Sequence, residues 1–343
     1  MELTMNQSIN HKQDNVIKLH LKKIITCRDC MESMHDKYRS SIASGLFDNW
    51  VCDIMFAYSL GLDVPINWWV QKMDDSDPFL MAYANWFNQL TKMMKIQERD
   101  FSINWDDEFT RLAFNALIEI FDSSNFLMKL DSSQRLQEHN TTSMVRRVCG
   151  FKARHSKLMI VRLDVGFSLN PPELEIGSKS GHKVLTDNLD LLVKSIRADY
   201  SYSYIHHEAK LEYSQERGLH AHLLFLFNGS VVREDETIGF LIAQRWRAQF
   251  HADVGWAYND NNPIRKAQLK PYGLALGVFN EDSPQFVANV CNAVRYMAKP
   301  DHLLRLAFPG IRRAMRSAHI DQTKWERKMK ATVVRQRMRK MGL

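Results

Sequence analysis

His220-Ala221-His222 sets two imidazoles on either side of one small residue, directly ahead of the apolar run Leu223-Leu224-Phe225-Leu226-Phe227. Residues two apart on a strand share a face. Both rings would then point the same way, spaced for one metal ion. Eight residues before His220 stands Glu212, and the intervening Ser214-Gln215-Glu216-Arg217-Gly218 is polar and turn-forming. A hairpin folded at Gln215 and Glu216 sets Glu212 opposite His220 on the same face. Two imidazoles and a carboxylate form a ligand set for a divalent cation. Glu208 or His207 could take the third place instead of Glu212.

Further along lies Arg295-Tyr296-Met297-Ala298-Lys299. Tyr296 and Lys299 are three apart and share a helix face, with Asn289 and Asn292 on the same side in earlier turns. A tyrosine hydroxyl is a weak nucleophile at neutral pH, because its unperturbed pKa is about 10. It can attack a phosphodiester when a bound cation draws charge from the phosphate oxygens. Lys299 could steady the phosphate or the developing phenolate. Together with the histidine pair and Glu212, these residues suffice for phosphodiester transesterification through a phosphotyrosine.

The elements that must position them form a mixed pattern. Residues 1–130 read as a mostly helical domain. Ile17–Ser40, Asp48–Leu60, Phe79–Ile96 and Asp106–Leu127 each carry apolar residues at three- and four-residue spacing. Trp50, Trp68, Trp69 and Trp86 belong to the core of that bundle. Residues 131–156 are polar and basic and read as a solvated linker. From 157 to 300 strands and helices alternate. Leu158–Phe167, Tyr202–Tyr213, Leu219–Phe227 and Gly273–Phe279 read as strands. Val184–Tyr200, Asp235–Phe250 and a segment opened by Ser283-Pro284 and stopped at Pro300 read as helices. The order is that of a βαββαβ antiparallel sheet with helices on one face, an α+β fold. The histidines would lie on the uncovered face. Asp164 reads as a strand-end surface residue, with a role beside the metal as the alternative.

The 343 residues carry a formal net charge of +7, which favours an anionic partner such as nucleic acid. Residues 301–343 form a basic tail. From Phe308 onward it holds eleven Lys or Arg against Asp321 and Glu326, in a pattern read as helical. Arg295, Arg312, Arg313, Arg316, Arg335, Arg337 and Arg339 are the candidates for phosphate contacts, which give affinity without sequence readout. The five cysteines are scattered, and Cys27-x-x-Cys30 lacks the further ligands a structural zinc needs. Reduced thiols are expected. Met1–Asn15 is polar and lacks an apolar signal core, and no apolar run reaches membrane-spanning length. A cytoplasmic protein is expected.

Gly218-Leu219-His220-Ala221-His222-Leu223-Leu224, with Glu212 upstream, resembles the histidine-hydrophobe-histidine motif of HUH endonucleases, and Arg295-Tyr296-Met297-Ala298-Lys299 resembles their tyrosine motif. Val161-Arg162-Leu163-Asp164-Val165 stands where their first strand lies. The resemblance covers about residues 157–300 and is nearest to the replication initiators of filamentous phages and related prophages. It implies a metal-dependent, site-specific single-strand DNA endonuclease and ligase, a nickase using Mg²⁺ or Mn²⁺. Its substrate would be a single-stranded or supercoiled origin. Tyr296 would join the 5′ phosphate and leave a free 3′ hydroxyl for rolling-circle replication with host helicase and polymerase. Ala221 is smaller than the usual middle residue. Asn292 stands where two-tyrosine members carry a second tyrosine, so rejoining would need another subunit or a residue such as Tyr272. A relaxase or a single-tyrosine transposase would share this chemistry. A non-catalytic DNA-binding regulator and a water-using metal hydrolase are the other classes compatible with the residues.

Overall fold

Asp77-Pro78 shows how local sequence sets the start of a helix. The Asp77 side chain accepts from the amides of Phe79 and Leu80 at 2.9 and 3.0 Å, and Pro78 occupies the first turn, where no amide proton is needed. The computed structural model describes residues 24, 26–39, 77–96, 107–167, 182–214, 217–250, 254–273, 275–280, 283–299, 304, 308, 311 and 314–317. The expected helix at Asp48–Leu60, the tryptophans at 50, 68 and 69 and Cys52 lie outside them. The chain divides into two units, Met1–Gln134 and Arg135–Leu343.

The first unit is helical where described, as expected. Residues 26–39, α1 (Pro78–Ile96), α2 (Asp107–Phe121) and the start of α3 (Ser124–Lys152) are helices. Trp86 is fully buried and donates from Nε1 to the Ala113 carbonyl at 2.8 Å. The single helix expected over Asp106–Leu127 is interrupted at Asp122-Ser123. There the Ser123 hydroxyl accepts from the Phe126 amide and starts a new helix.

The second unit is α+β. Its strands are β1 (Leu158–Phe167), β2 (Tyr204–Ser214), β3 (Gly218–Asn228), β4 (Gly255–Asn259), β5 (Gly277–Phe279) and β6 (Met315–Ser317). Its further helices are α4 (Lys183–Asp199), α5 (Asp235–Arg247), α6 (Pro263–Leu269) and α7 (Pro284–Ala298). The sheet is antiparallel with order β4-β1-β3-β2-β6, and β5 also pairs with β1. The hairpin register places Glu212 opposite His220 and Ser214 opposite Gly218. Across the other edge of β3, Asp164 faces His222 and Gly166 faces His220.

Several expectations are corrected. Helices cover both faces of the sheet, not one. α4 and α5 cover the face of Phe167 and Phe227, with Trp246 against Phe167 and Tyr200 against Phe227. On the histidine face, Leu158, Ile160, Leu224 and Leu226 pack against Met144, Val145 and Val148 of α3 and Val287, Val290, Val294 and Met297 of α7. β1 and β3 are buried on both sides because both sides are covered. The stretch expected as a solvated linker over 131–156 is therefore largely helix α3, whose last turns bury an apolar stripe. The tail is not helical at 315–317, where β6 pairs with β2. The strand expected at Gly273–Phe279 is confined to Gly277–Phe279, and Gly273, at φ 86°, lies outside extended backbone. β4 and α6 were not anticipated. Among the described residues no helix is long and apolar enough to cross a membrane.

Candidate metal centre and its tyrosine

The period of the hairpin brings Glu212, His220 and His222 to one end of one face. Their ligand atoms all lie within 4.8 Å of one another, the one such group among the described residues. Both histidines are buried, at 2 and 1% exposure, while the Glu212 side chain keeps 22%. His220 Nδ1 lies 2.9 Å from the Gly218 carbonyl, which can only accept, so Nδ1 carries the proton and Nε2 is left as a donor of electrons to an ion. His222 Nδ1 lies 2.5 Å from Asp164 Oδ1, and its Nε2 lies 2.9 Å from Glu212 Oε2. An imidazole flanked by two carboxylates holds protons on both nitrogens, and a cation would take the place of the Nε2 proton. The donor set thus fits a divalent ion and leaves positions open for a phosphate oxygen.

Electrostatics follow from this packing. Burial pushes the Glu212 carboxyl up, but the His222 hydrogen bond and the charges of Lys210 and the histidines outweigh it and hold it at about 2. Burial lowers His222, yet Asp164 and Glu212 raise it above the ordinary value. His220 has weaker partners, and burial lowers it. Gly166 is fixed by close approach, because a Cβ there would stand 2.7 Å from the Trp256 ring and 2.9 Å from His220 Cβ.

Tyr296 reaches this cluster from α7. Ser283 starts that helix by accepting from the Phe286 amide, and Lys299 ends it in an extended conformation. The apolar stripe of α7 is buried against the sheet, which leaves Tyr296 at 42% exposure over the metal residues. Its hydroxyl donates to Glu212 Oε1 at 3.4 Å, 84 residues away in sequence, and its ring meets His222 edge-on at 5.1 Å. Burial, Glu212 and Asp164 raise its phenol above the ordinary value, against Arg162 and Arg217. Lys299 Nζ, Lys210 Nζ and the Arg162 guanidinium lie 5.9, 6.0 and 5.8 Å from the ring centre.

Of the residues singled out from sequence, the structure brings together Glu212, His220, His222, Tyr296 and Lys299. Glu208 and His207 lie elsewhere. Glu208 is fully buried and paired with Arg147 and His206, and His207 points to the opposite face. Asn292 is taken up by the Tyr272 carbonyl at 3.1 Å, and Tyr272 itself is 75% exposed. Arg295 is exposed on α7 beside Tyr296. Arg316 lies in β6 and bonds Asp190 on the other side of the sheet, so it does not serve this site. Arg312, Arg313, Arg335, Arg337 and Arg339 lie outside the described residues.

The sequence reading missed four neighbours. Asp164 is not a surface residue but buried, and it orients His222. Lys210 is 3% exposed and 3.5 Å from Glu212. Arg162 sits beside Tyr296, and Arg217 donates to Asp164 Oδ2 at 3.2 Å from the rim. The strand period would have found three of these, since Lys210 shares the face of Glu212, and Arg162 and Asp164 alternate onto it. Arg217 belongs to a turn and has no such signal. No family model, no curated protein and no solved structure matches this chain.

Proposed function

We propose that this chain is a metal-dependent DNA nickase of the HUH rolling-circle initiator type, acting in the cytoplasm of a bacterial host. The observation that carries the proposal is the convergence of Tyr296, from a separate helix, on the open carboxylate oxygen of Glu212. Glu212, His220 and His222 would hold the ion, which when bound withdraws charge from the scissile phosphate. Two imidazoles in the donor set suit Mn²⁺ better than Mg²⁺, which prefers oxygen ligands. Asp164 keeps His222 in the tautomer that presents Nε2. Glu212 Oε1 holds the phenol proton. Tyr296 Oη forms a bond to phosphorus as the P–O3′ bond breaks, and the phenol proton ends on the departing 3′ oxygen. Lys299, Lys210 and Arg162 offset the negative charge that gathers at the phenol and phosphate. Host helicase and polymerase would extend the 3′ end.

Incubation of single-stranded or supercoiled origin DNA with Mn²⁺ or Mg²⁺ and the protein should give a covalent protein–DNA adduct on denaturing gels. Tyr296→Phe should give none. An adduct undiminished by that substitution, or no adduct on any origin substrate, overturns the reading. One observation favours a second reading: the Tyr296 hydroxyl is held only by a long 3.4 Å contact to Glu212, and the donor set leaves positions where an ion could carry a water as nucleophile instead. A hydrolase of that kind would cut DNA without an adduct, and Tyr296→Phe would still cleave.

A further inference from the structure

The face of the sheet turned away from the metal residues carries a second polar concavity. A cavity of about 350 Å³ lies between α4 and the β2–β6 edge, lined by Val193 and by the polar Asp190, Lys194, Arg197, His207, Arg316 and Ser317. Its walls follow from periodicity. Asp190, Lys194 and Arg197 recur at four and three residues and form one stripe of α4, separate from the buried stripe of Leu185, Leu189, Leu192 and Ile196. On β2, His207 alternates away from Glu208 and Glu212, and Arg316 faces Ala209 in the register with β6. The metal residues therefore contribute nothing to this cavity.

Three permanent cations meet one carboxylate here. Asp190 is engaged by Arg316, whose NH2 lies 3.0 Å from both of its oxygens. That contact fixes the Arg316 guanidinium and, among the described residues, leaves Lys194 and Arg197 without a carboxylate partner. Arg197 rests over the Tyr204 ring at 5.7 Å, and the Tyr204 hydroxyl lies 2.6 Å from His207 Nδ1. Burial, then the charges of His206 and the two arginines, hold His207 at about 4 against the pull of Glu208. It is thus a neutral imidazole that adds hydrogen bonding without charge, and Ser317 adds a hydroxyl.

Two guanidinium forks, an ammonium and neutral donors around one concavity match a compact anion with several acceptor oxygens. The net excess of two positive charges matches a dianion. The volume lies at the lower end of small-ligand sites, so an attached organic body also has room. We propose that this cavity binds the terminal phosphate of a nucleotide. The nucleotide is either free or the 5′ end of a nucleic-acid strand.

The test uses the 343-residue chain in EDTA, so that the metal centre cannot contribute. Calorimetry with thymidine 5′-monophosphate, thymidine and inorganic phosphate is paired with anisotropy of a fluorescent oligothymidylate, with and without a 5′ phosphate. Thymidine 5′-monophosphate should bind saturably and thymidine should not. The double variant Lys194→Gln/Arg197→Gln should weaken binding by about ten-fold or more, as loss of charged hydrogen bonds requires. Lys183→Gln, about 16 Å along the same helix, should leave it unchanged. Both altered cations are exposed on α4, and equal thermal melting of all variants will show that the fold is kept. A preference for the 5′-phosphorylated oligonucleotide that the double variant loses identifies a strand end as the source. Binding of the mononucleotide without that preference identifies a free nucleotide. No phosphate-dependent binding at millimolar ligand, or binding that the double variant leaves intact, overturns the proposal. None of these outcomes depends on nicking.

Discussion

His222 is held at both ring nitrogens, and the two partners do different work. Glu212, on the Nε2 side, would join His222 in holding an ion, whereas Asp164, on the Nδ1 side, fixes the ring. Removing the Asp164 charge leaves the ligands in place but frees the ring to turn. Asp164→Asn should therefore weaken Mn²⁺ binding by about 10- to 100-fold in a calorimetric titration. Tyr296→Phe should leave Mn²⁺ affinity within about three-fold of wild type, because it keeps the ring against His222 and removes only the hydroxyl, which bonds the oxygen of Glu212 that His222 does not use. Equal Mn²⁺ affinity in Asp164→Asn and wild type would refute the orienting role.

At the scale of elements, α3 is tied to β2 by a buried ionic link. Arg147 donates from Nε and NH2 to Glu208 at 2.5 and 3.1 Å, and Glu208 also meets His206 at 3.0 Å. Removing one partner strands the other's charge in the interior. Arg147→Ala should cost about 3–5 kcal/mol in urea denaturation, and Arg147→Met combined with Glu208→Gln should recover a large part of it. A loss below about 1 kcal/mol in the single variant would show that the pair is solvated. This link also explains what the sequence conceals. The hairpin was legible because His220 and His222 alternate within an apolar run, and α7 was legible from Ser283-Pro284 and its apolar spacing. The last turns of α3 carry Met144, Val145, Val148 and Cys149 at helical spacing, but Arg146, Arg147 and Lys152 between them read as a solvated connector. A partner for Arg147 61 residues away cannot be inferred from local pattern. β4 and β6 are short edge strands of five and three residues, too brief for periodicity to register.

For the whole molecule, pH acts through the buried imidazoles. His207 is held at about 4, below the ordinary imidazole value of 6.5, so folding favours its neutral form. Its contribution is complete above pH 6.5, declines as pH falls, and is lost by about pH 4, a difference of about 3 kcal/mol. Glu212, at about 2 against 4.5, gives up its contribution only at lower pH, between those two values. His35, His155, His182 and His220 are lowered in the same direction. Denaturation of wild type and His207→Gln at pH 7, 5.5 and 4 isolates the one residue. The stability gap between the two proteins should shift towards the variant as pH falls, and a constant gap would remove His207 from the account. The covering of both sheet faces bears on how a nucleic-acid strand could meet the metal residues. With α3 and α7 seated on Leu224 and Leu226, the sheet offers no platform along which several bases could lie. Among the described residues, the approach left open is the end where Arg217 and Tyr296 are exposed, at 51 and 42%. A strand would have to arrive end-on and turn away again, so its protected footprint would be short and lopsided about the cleaved bond.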